Sequence, residues 1–426
     1  MRTISEPARE IPVIAEVDVL VAGGGPAGFA AAVAAARLGA SVMLVERYGC
    51  LGGMATGGMV LYMDGLSDGT ERVIGGLCWE SMERLGEEGG LAERGPLRYD
   101  VDSELYKVTL DQMCLEAGVW VRLHSWVANA LVEDGRVRGV VIESKSGREA
   151  VLAHTIIDAT GDGDVAAFAG ADYELGHMRI GLNMKVGGVD RDRYQAFAQA
   201  EPERARALRG ALRDRGGFPI GMGPTPYSEE GVYWVNVIGL SERSGLGPRE
   251  GADNDEHWGG RLSAIDAEDL THAELELRRR LAESLAYYRE NVPGYEGVRL
   301  LGFASQIGVR ESRRILGHTV LTGEDVLGGR TFDDGIGRGG LAGPGVSYDI
   351  PYRALVPLGV DGLLVAGRCI SADHRALGHI RVIPPMMVTG QAAGTAAFMA
   401  VELGVRPAAV DPVVLRKQLA TDGVIL

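Results

Sequence analysis

From Val17 to Ala22 the chain is apolar at every position except Asp18, and the run breaks at Gly23-Gly24-Gly25-Pro26-Ala27-Gly28. An alanine-rich helical stretch follows over about 26–38, then a second apolar run over 41–45 that stops on Glu46. Strand, glycine turn, helix and strand in that order predict a βαβ unit. Each part has a physical task. Gly23 permits the tight turn, Gly25 lets backbone approach a pyrophosphate, and Gly28 lets helix and strand pack closely. The helix start, Pro26-Ala27, would turn unpaired N–H groups and a positive dipole end toward the phosphates. Glu46 stands eighteen residues past Gly28, in place to accept hydrogen bonds from a ribose. Together these features predict that the chain binds an ADP-containing dinucleotide.

Further along, a helix over 103–117 leads to a strand at 119–124 and then to an antiparallel meander at 127–133, 137–144 and 150–153. Val127, at its start, is counted as a cofactor contact. The strand-like run at 155–159 ends in Thr160-Gly161-Asp162-Gly163-Asp164, a second close-approach turn that includes Ala159. Residues 171–345 differ in character, with charged helical segments at 191–215 and 271–291, the latter opening on the capping box Thr271-x-x-Glu274. Strand-like runs at 180–186 and 231–238 add a mixed sheet. A buried strand at 362–367 then precedes a long apolar helix opened by Gly390-Gln391-Ala392. The pattern predicts an α/β fold: a Rossmann-like dinucleotide domain (βαβ with a β-meander) carrying an inserted α+β substrate domain. The expected division is 1–60, 100–170 and 346–426 for the first, with 61–99 and 171–345 forming the second, the cap.

Composition narrows the partners. A net charge of −15 argues against nucleic acid or an anionic membrane. No uninterrupted apolar window is long enough for a membrane span, and the first residues carry no apolar leader. Cys50, Cys78, Cys114 and Cys369 are scattered without metal-site spacing, so no metal is expected, and the pattern suits a reducing cytoplasm. The 63 glycines fall in short turns between apolar runs, read as close backbone approaches to a ligand.

The glycine turn alone does not separate NAD from FAD. Three features favour FAD. The glycine-rich loop at 49–58, with Gly52, Gly53, Met54 and Thr56, follows the ribose acid and Arg47 at once; the turn at Ala159-Thr160-Gly161-Asp162 is the second; the helix near Gly390 is the third, its N–H groups suited to the negative edge of a reduced flavin. With Glu46-Arg47-Tyr48-Gly49-Cys50-Leu51-Gly52-Gly53, Ile157-Asp158-Ala159-Thr160-Gly161-Asp162-Gly163-Asp164, the run from Ser305 to Arg314 and Ala366-Gly367-Arg368-Cys369-Ile370-Ser371, the chain resembles the FAD-dependent oxidoreductases of the glutathione reductase and succinate dehydrogenase flavoprotein superfamily, especially the bacterial group that starts with Gly-Gly-Gly-Pro-Ala-Gly. The resemblance implies bound FAD and a redox reaction on a small organic substrate, with hydride transfer to or from flavin N5. Oxygen or an electron carrier would be the acceptor, and association into a homo-oligomer is left open. Two departures stand out: Gly367-Arg368 replaces the usual Gly-Asp, and no cysteine pair follows Leu51-Gly52-Gly53. Alternatives are a partner-reduced monooxygenase or reductase, and a non-redox flavoprotein such as a hydratase or isomerase.

In the resembling fold the stretch from Asp373 to Arg381 passes the flavin ring. His374 is the first choice for proton acceptor and His379 the second, against simple turn-capping or solvent-facing roles. Arg381 is a candidate to hold an anionic substrate or the reduced flavin, with an ion pair to Asp373 as the alternative. Arg310, in Arg310-Glu311-Ser312-Arg313-Arg314, is a candidate fork for a substrate carboxylate; a salt-bridge patch is the competing reading, and a helical run would put Arg310 and Arg314 on one face. Tyr227, Tyr233, Trp234, Trp258 and Tyr352 are pocket or interdomain-core candidates, His257 reads as loop surface, and Cys50 as packing.

Overall fold

The structure is a computed structural model describing residues 3–5, 7–95, 97–237, 239–242, 261–341 and 345–426. His257 and Trp258 lie outside the described residues. The opening unit is β1 (Val13–Ala22), α1 (Pro26–Arg37) and β2 (Val42–Val45). After α2 (Ser103–Glu116) come β3 (Trp120–Arg122), β4 (Trp126–Glu133), β5 (Arg136–Ser144) and β6 (Gly147–Asp158). The sheet order is β3-β2-β1-β6-β5-β4, and the strand Leu363–Val365 pairs with β6. Strands β3, β2, β1, β6 and Leu363–Val365 all run parallel, whereas β4, β5 and β6 form the antiparallel meander. This is a Rossmann-like mixed sheet, with the C-terminal ends of β1 and β6 at the glycine turns. The third meander strand is continuous with the run at 155–158, so β6 is longer than the expected 150–153.

A second apolar core gathers residues from Ile180 to Ile307. Its three-stranded antiparallel sheet has Met184–Gly187 between Tyr233–Val235 and Arg299–Phe303. Helix α3 (Ala267–Asn291) covers it with the stripe Ala273, Leu277, Leu281, Leu285 and Tyr288, spaced for one helical face. This helix begins ahead of Thr271. Asp266 is its N-cap, accepting from the Glu268 and Asp269 amides, and the Thr271 hydroxyl donates back to the Ala267 carbonyl at 2.7 Å. The two cores divide the chain differently from the expectation. Leu61, Met63, Leu66 and Leu77 join the large core, as do Ile315, Leu321, Val326 and Ile336. Segments on both sides of the cap therefore return to the first domain.

Helix α4 (Ile383–Leu403) lies along α1 through glycines rather than beginning at them. A Cβ on Gly390 would stand 2.0 Å from the Ala27 carbonyl oxygen, and one on Gly394 2.1 Å from that of Ala31. Glycine is required because backbone meets backbone, with small alanines on the other side. Gly390, Gln391 and Ala392 are thus buried inside α4, where their amides bond within the helix. The actual start carries Pro384 and Pro385, which have no N–H to offer.

Candidate active site

Between the two cores lies a cavity of about 380 Å³. The first domain contributes Gly23, Gly25, Pro26, Ala27, Glu46, Arg47, Gly53, Met54, Ala159, Thr160, Gly161, Gly367 and Arg368 to its wall. The cap contributes Asn183, Trp234, Gln306 and Arg310, and Arg381 lies just before α4. A smaller cavity of about 40 Å³ shares Gly23, Glu46, Arg47 and Thr160 and adds Trp126 and Val127.

The three glycines of the first turn are there for different reasons. Gly23 has φ +100°, and a Cβ on it would stand 2.4 Å from the Ala159 carbonyl oxygen. A Cβ on Gly28 would stand 1.7 Å from the Gly23 carbonyl oxygen, so Gly28 serves helix packing and does not border the cavity. Gly25 is different. Its φ of −66° suits any residue, and a Cβ there would have nothing within 4 Å. The protein's own packing gives no reason for glycine at position 25, whereas a ligand resting against this backbone does. Gly25 is also the N-cap of α1, with no side chain capping the helix and no acid in its first turn. The early amides of α1 are therefore available to an anion.

The neighbouring loops hold this wall in place. One Glu46 carboxylate oxygen accepts the Gly24 amide at 2.6 Å and the other the Tyr48 amide at 2.8 Å. Burial pushes the Glu46 carboxyl up from its ordinary value. The Gly52 amide donates to the Gly24 carbonyl at 2.8 Å, and Gly53 approaches Gly25 backbone to backbone. Thr56 turns away from the cavity: its buried hydroxyl donates to the Leu51 carbonyl, which a tight loop would otherwise leave unpaired. At the end of β6, Asp158 accepts from the amide and hydroxyl of Thr160 and the amide of Ala166, shaping the Ala159–Gly161 turn.

Two of the bordering guanidiniums share a carboxylate. Arg368 lies 2.7 Å from Asp162 and donates to Ser312 at 2.6 Å, and Arg47 lies 3.9 Å from Asp162. Burial opposes ionisation of Asp162, but Arg368, Arg47 and the Ser312 hydroxyl outweigh it and hold the carboxyl below its usual range. Asp162 itself does not border the cavity; it braces Arg368 from behind. The Arg47 guanidinium also sits 5.0 Å from the ring centres of both Tyr48 and Trp126.

The run 310–314 is not helical. Arg310 enters the cavity wall, donating to the Arg179 carbonyl at 2.9 Å, while Arg313 and Arg314 pair with Asp164 and Glu174. His374 does not border the cavity: its Nδ1 is 2.7 Å from the buried carboxylate of Glu311, and its ring is largely exposed. His379 is exposed as well. Asp373 caps the short helix His374–Ile380 and accepts the Gly323 amide instead of pairing with Arg381. Gln391 accepts the Leu77 amide at 2.9 Å, inside the core. Among the aromatic candidates Trp234 borders the cavity; Tyr352 donates to the Pro407 carbonyl, Tyr233 lies in the second core and Tyr227 is exposed. Cys50 is half-buried, and burial pushes its thiol up.

Asn183 and Gln306 had not been singled out. Asn183 Nδ2 donates to the carbonyls of Gly58 and Met59, and its Oδ1 accepts the Val237 amide, joining the cap to the 49–58 loop. An amide flanked by Leu182 and Met184 inside the strand-like run 180–186 was its signal.

The chain matches the family described as FAD dependent oxidoreductase over residues 18–419. It is 33% identical over 152 residues to a tRNA uridine 5-carboxymethylaminomethyl modification enzyme of Wolinella succinogenes, covering 33% of this chain and 24% of that protein. It is 31% identical over 211 residues to digeranylgeranylglycerophospholipid reductase 1 of Methanopyrus kandleri, covering 44% of this chain and 52% of that protein. The match thus spans about a quarter to a half of these relatives' length. A solved geranylgeranyl bacteriochlorophyll reductase-like protein from Thermoplasma acidophilum is similar at 17% identity and a TM-score of 0.47, over 96% of this chain and 83% of that one. Among the described residues no helix is long and apolar enough to cross a membrane.

Proposed function

Because the chain belongs to the FAD dependent oxidoreductase family, with FAD as its cofactor, we propose that it moves a hydride between that cofactor and a small organic substrate in the cavity between the two cores. The observation that carries this reading is the composition of the wall: a cavity-bordering glycine and a bare helix start on one domain, and Asn183, Trp234, Gln306 and Arg310 from the other. The residues present fit FAD. In this reading the backbone at Gly23, Gly25, Pro26 and Ala27 and the turn Ala159-Thr160-Gly161 seat the diphosphate, with Arg47 and Arg368 nearby as cations. Glu46 receives a ribose, and Trp126 with Val127 flanks the adenine in the smaller cavity. Gly53, Met54 and Gly367 lie against the remainder. When bound, FAD supplies a two-electron acceptor or donor for hydride.

The chain's own part is to bind, orient and exclude water. Val60, Ile307, Met386 and Trp234 give the cavity apolar walls, which strengthen charge interactions within it. Asp64 and Tyr62 border the cavity, and in this reading they exchange the accompanying proton; one Asp64 oxygen accepts the Gly65 amide at 3.0 Å. The test is an anaerobic spectral titration of purified protein against a panel of organic metabolites. Stoichiometric FAD and bleaching by one class of organic donor are expected. A protein that neither holds nor takes up FAD would overturn the reading, as would bleaching by reduced nicotinamide alone.

A further inference from the structure

Four guanidiniums border the cavity: Arg47, Arg310, Arg368 and Arg381. Arg47 and Arg368 have Asp162 behind them, on the side of the glycine turns. Arg381 has no carboxylate within ion-pair distance among the described residues. Its Nε points to the Met178 thioether at 3.3 Å, a weak acceptor, and its two terminal nitrogens make no hydrogen bond to described protein groups. Arg310 is steadied by the carbonyls of Arg179 at 2.9 Å and Val237 at 3.4 Å, which orient it without cancelling its charge.

These like charges sit in a partly dry cleft. Burial, then repulsion from Arg310 and Arg368, pulls the Arg381 guanidinium down to about 10, which still leaves it charged at neutral pH. Burial also pulls Arg310 down. An anion entering beside Arg381 would offset that repulsion. The indole N–H of Trp234, a further wall residue, is buried with no acceptor among the described residues.

Resting on the hydride-transfer reading of this cavity, we propose that the organic substrate is a carboxylate, held by the terminal nitrogens of Arg381 with Arg310 beside it. A guanidinium with both terminal nitrogens uncommitted matches the two oxygens of a carboxylate. The apolar side chains Val60, Ile307 and Met386 then receive the carbon skeleton. The diphosphate of FAD is met by the α1 amides with Arg47 and Arg368, which leaves Arg381 for a second anion.

The probes are succinate, propionate, neutral succinamide and inorganic phosphate, titrated at constant ionic strength into FAD-loaded protein. Two readouts run together: the flavin difference spectrum and tryptophan fluorescence. A carboxylate is expected to bind saturably, succinamide not to bind, and phosphate to bind more weakly than the better carboxylate. Arg381→Met is expected to weaken carboxylate binding by at least about tenfold (about 1.4 kcal/mol) with flavin content unchanged. Arg310→Met should weaken it too, and Arg381→Lys should retain part of it. The proposal is overturned if no carboxylate saturates, if neither arginine variant changes the affinity, if phosphate binds best, or if Arg381→Met and Arg381→Lys both lose FAD. Failure of the hydride-transfer reading is separate: it appears in the anaerobic titration, as protein that takes up no FAD or is bleached by reduced nicotinamide alone, while tryptophan fluorescence still reports carboxylate binding on the same criteria.

Discussion

Replacing Gly25 with alanine separates cofactor binding from folding at a single position. The added Cβ meets nothing within 4 Å, and φ −66° is ordinary for alanine. Two small effects act on the FAD-free protein. Alanine is a poorer N-cap than glycine, by roughly 0.3–1.5 kcal/mol. Restricting the unfolded chain returns about 0.4–1 kcal/mol. The net change in folding stability is therefore within about 1 kcal/mol of zero. The same methyl projects into the cavity, where it would hold the diphosphate off the α1 amides. A charge-assisted hydrogen bond contributes about 1.5–3 kcal/mol, so losing one weakens FAD binding about tenfold or more. Urea unfolding of apoprotein and an FAD titration by fluorescence quenching measure the two quantities. Gly23→Ala is the control: with φ +100° and a 2.4 Å contact to Ala159, it should damage the fold itself. Unchanged FAD affinity in Gly25→Ala, or loss of apoprotein stability well beyond 1 kcal/mol (about twice the net shift expected for a surface change), would refute the reasoning.

Other consequences follow from the same geometry. Gly394→Ala gains about 1 kcal/mol of helix propensity, but its Cβ lands 2.1 Å from the Ala31 carbonyl oxygen, so a net loss of about 1–3 kcal/mol is expected in urea unfolding; a stabilised variant would contradict the α1–α4 contact. Burial pushes the Asp158 carboxyl up to about 6 from 3.8, so between those values the folded state keeps a proton that the unfolded chain has released. Its contribution to stability is full below pH 3.8 and is lost as pH rises to about 6, roughly 3 kcal/mol in all. Asp158→Asn should remove that component from the pH profile of unfolding free energy, and an identical profile would be the contrary result. Asn183→Leu strands the Val237 amide and two carbonyls at about 1–3 kcal/mol per buried group, which should speed hydrogen exchange at residues 57–59 and 237 before the main sheet is affected.

The dinucleotide half was legible because its constraints are local. A tight turn, a close backbone approach and a terminal acid each demand a residue type at a fixed spacing, and Gly23, Gly25, Gly28 and Glu46 carry that demand in one short stretch. The meander was legible from alternation and its turn at Asp134-Gly135. What escaped depends on contacts between distant segments. The glycines of α4 read as a helix start because sequence shows the missing side chain but not the α1 backbone that requires it. His374 read as a base because histidine suits the chemistry, yet its partner Glu311 lies 63 positions away and draws the ring out of the cavity wall. Thr271 offered a plausible cap, and Asp266 displaced it by accepting two amides one turn earlier. Which core receives residues 61–99 is a matter of tertiary packing, where apolar pattern alone is indifferent.

A crystal structure of the FAD-loaded protein tests the central claim most directly. Density for the diphosphate is expected beside Gly25 and Ala27 at the start of α1, with the adenine toward Val127 and the ring system against Gly53, Met54 and Gly367 in the same cavity. FAD bound elsewhere, with that cavity closed by side chains around Gly25, would contradict it.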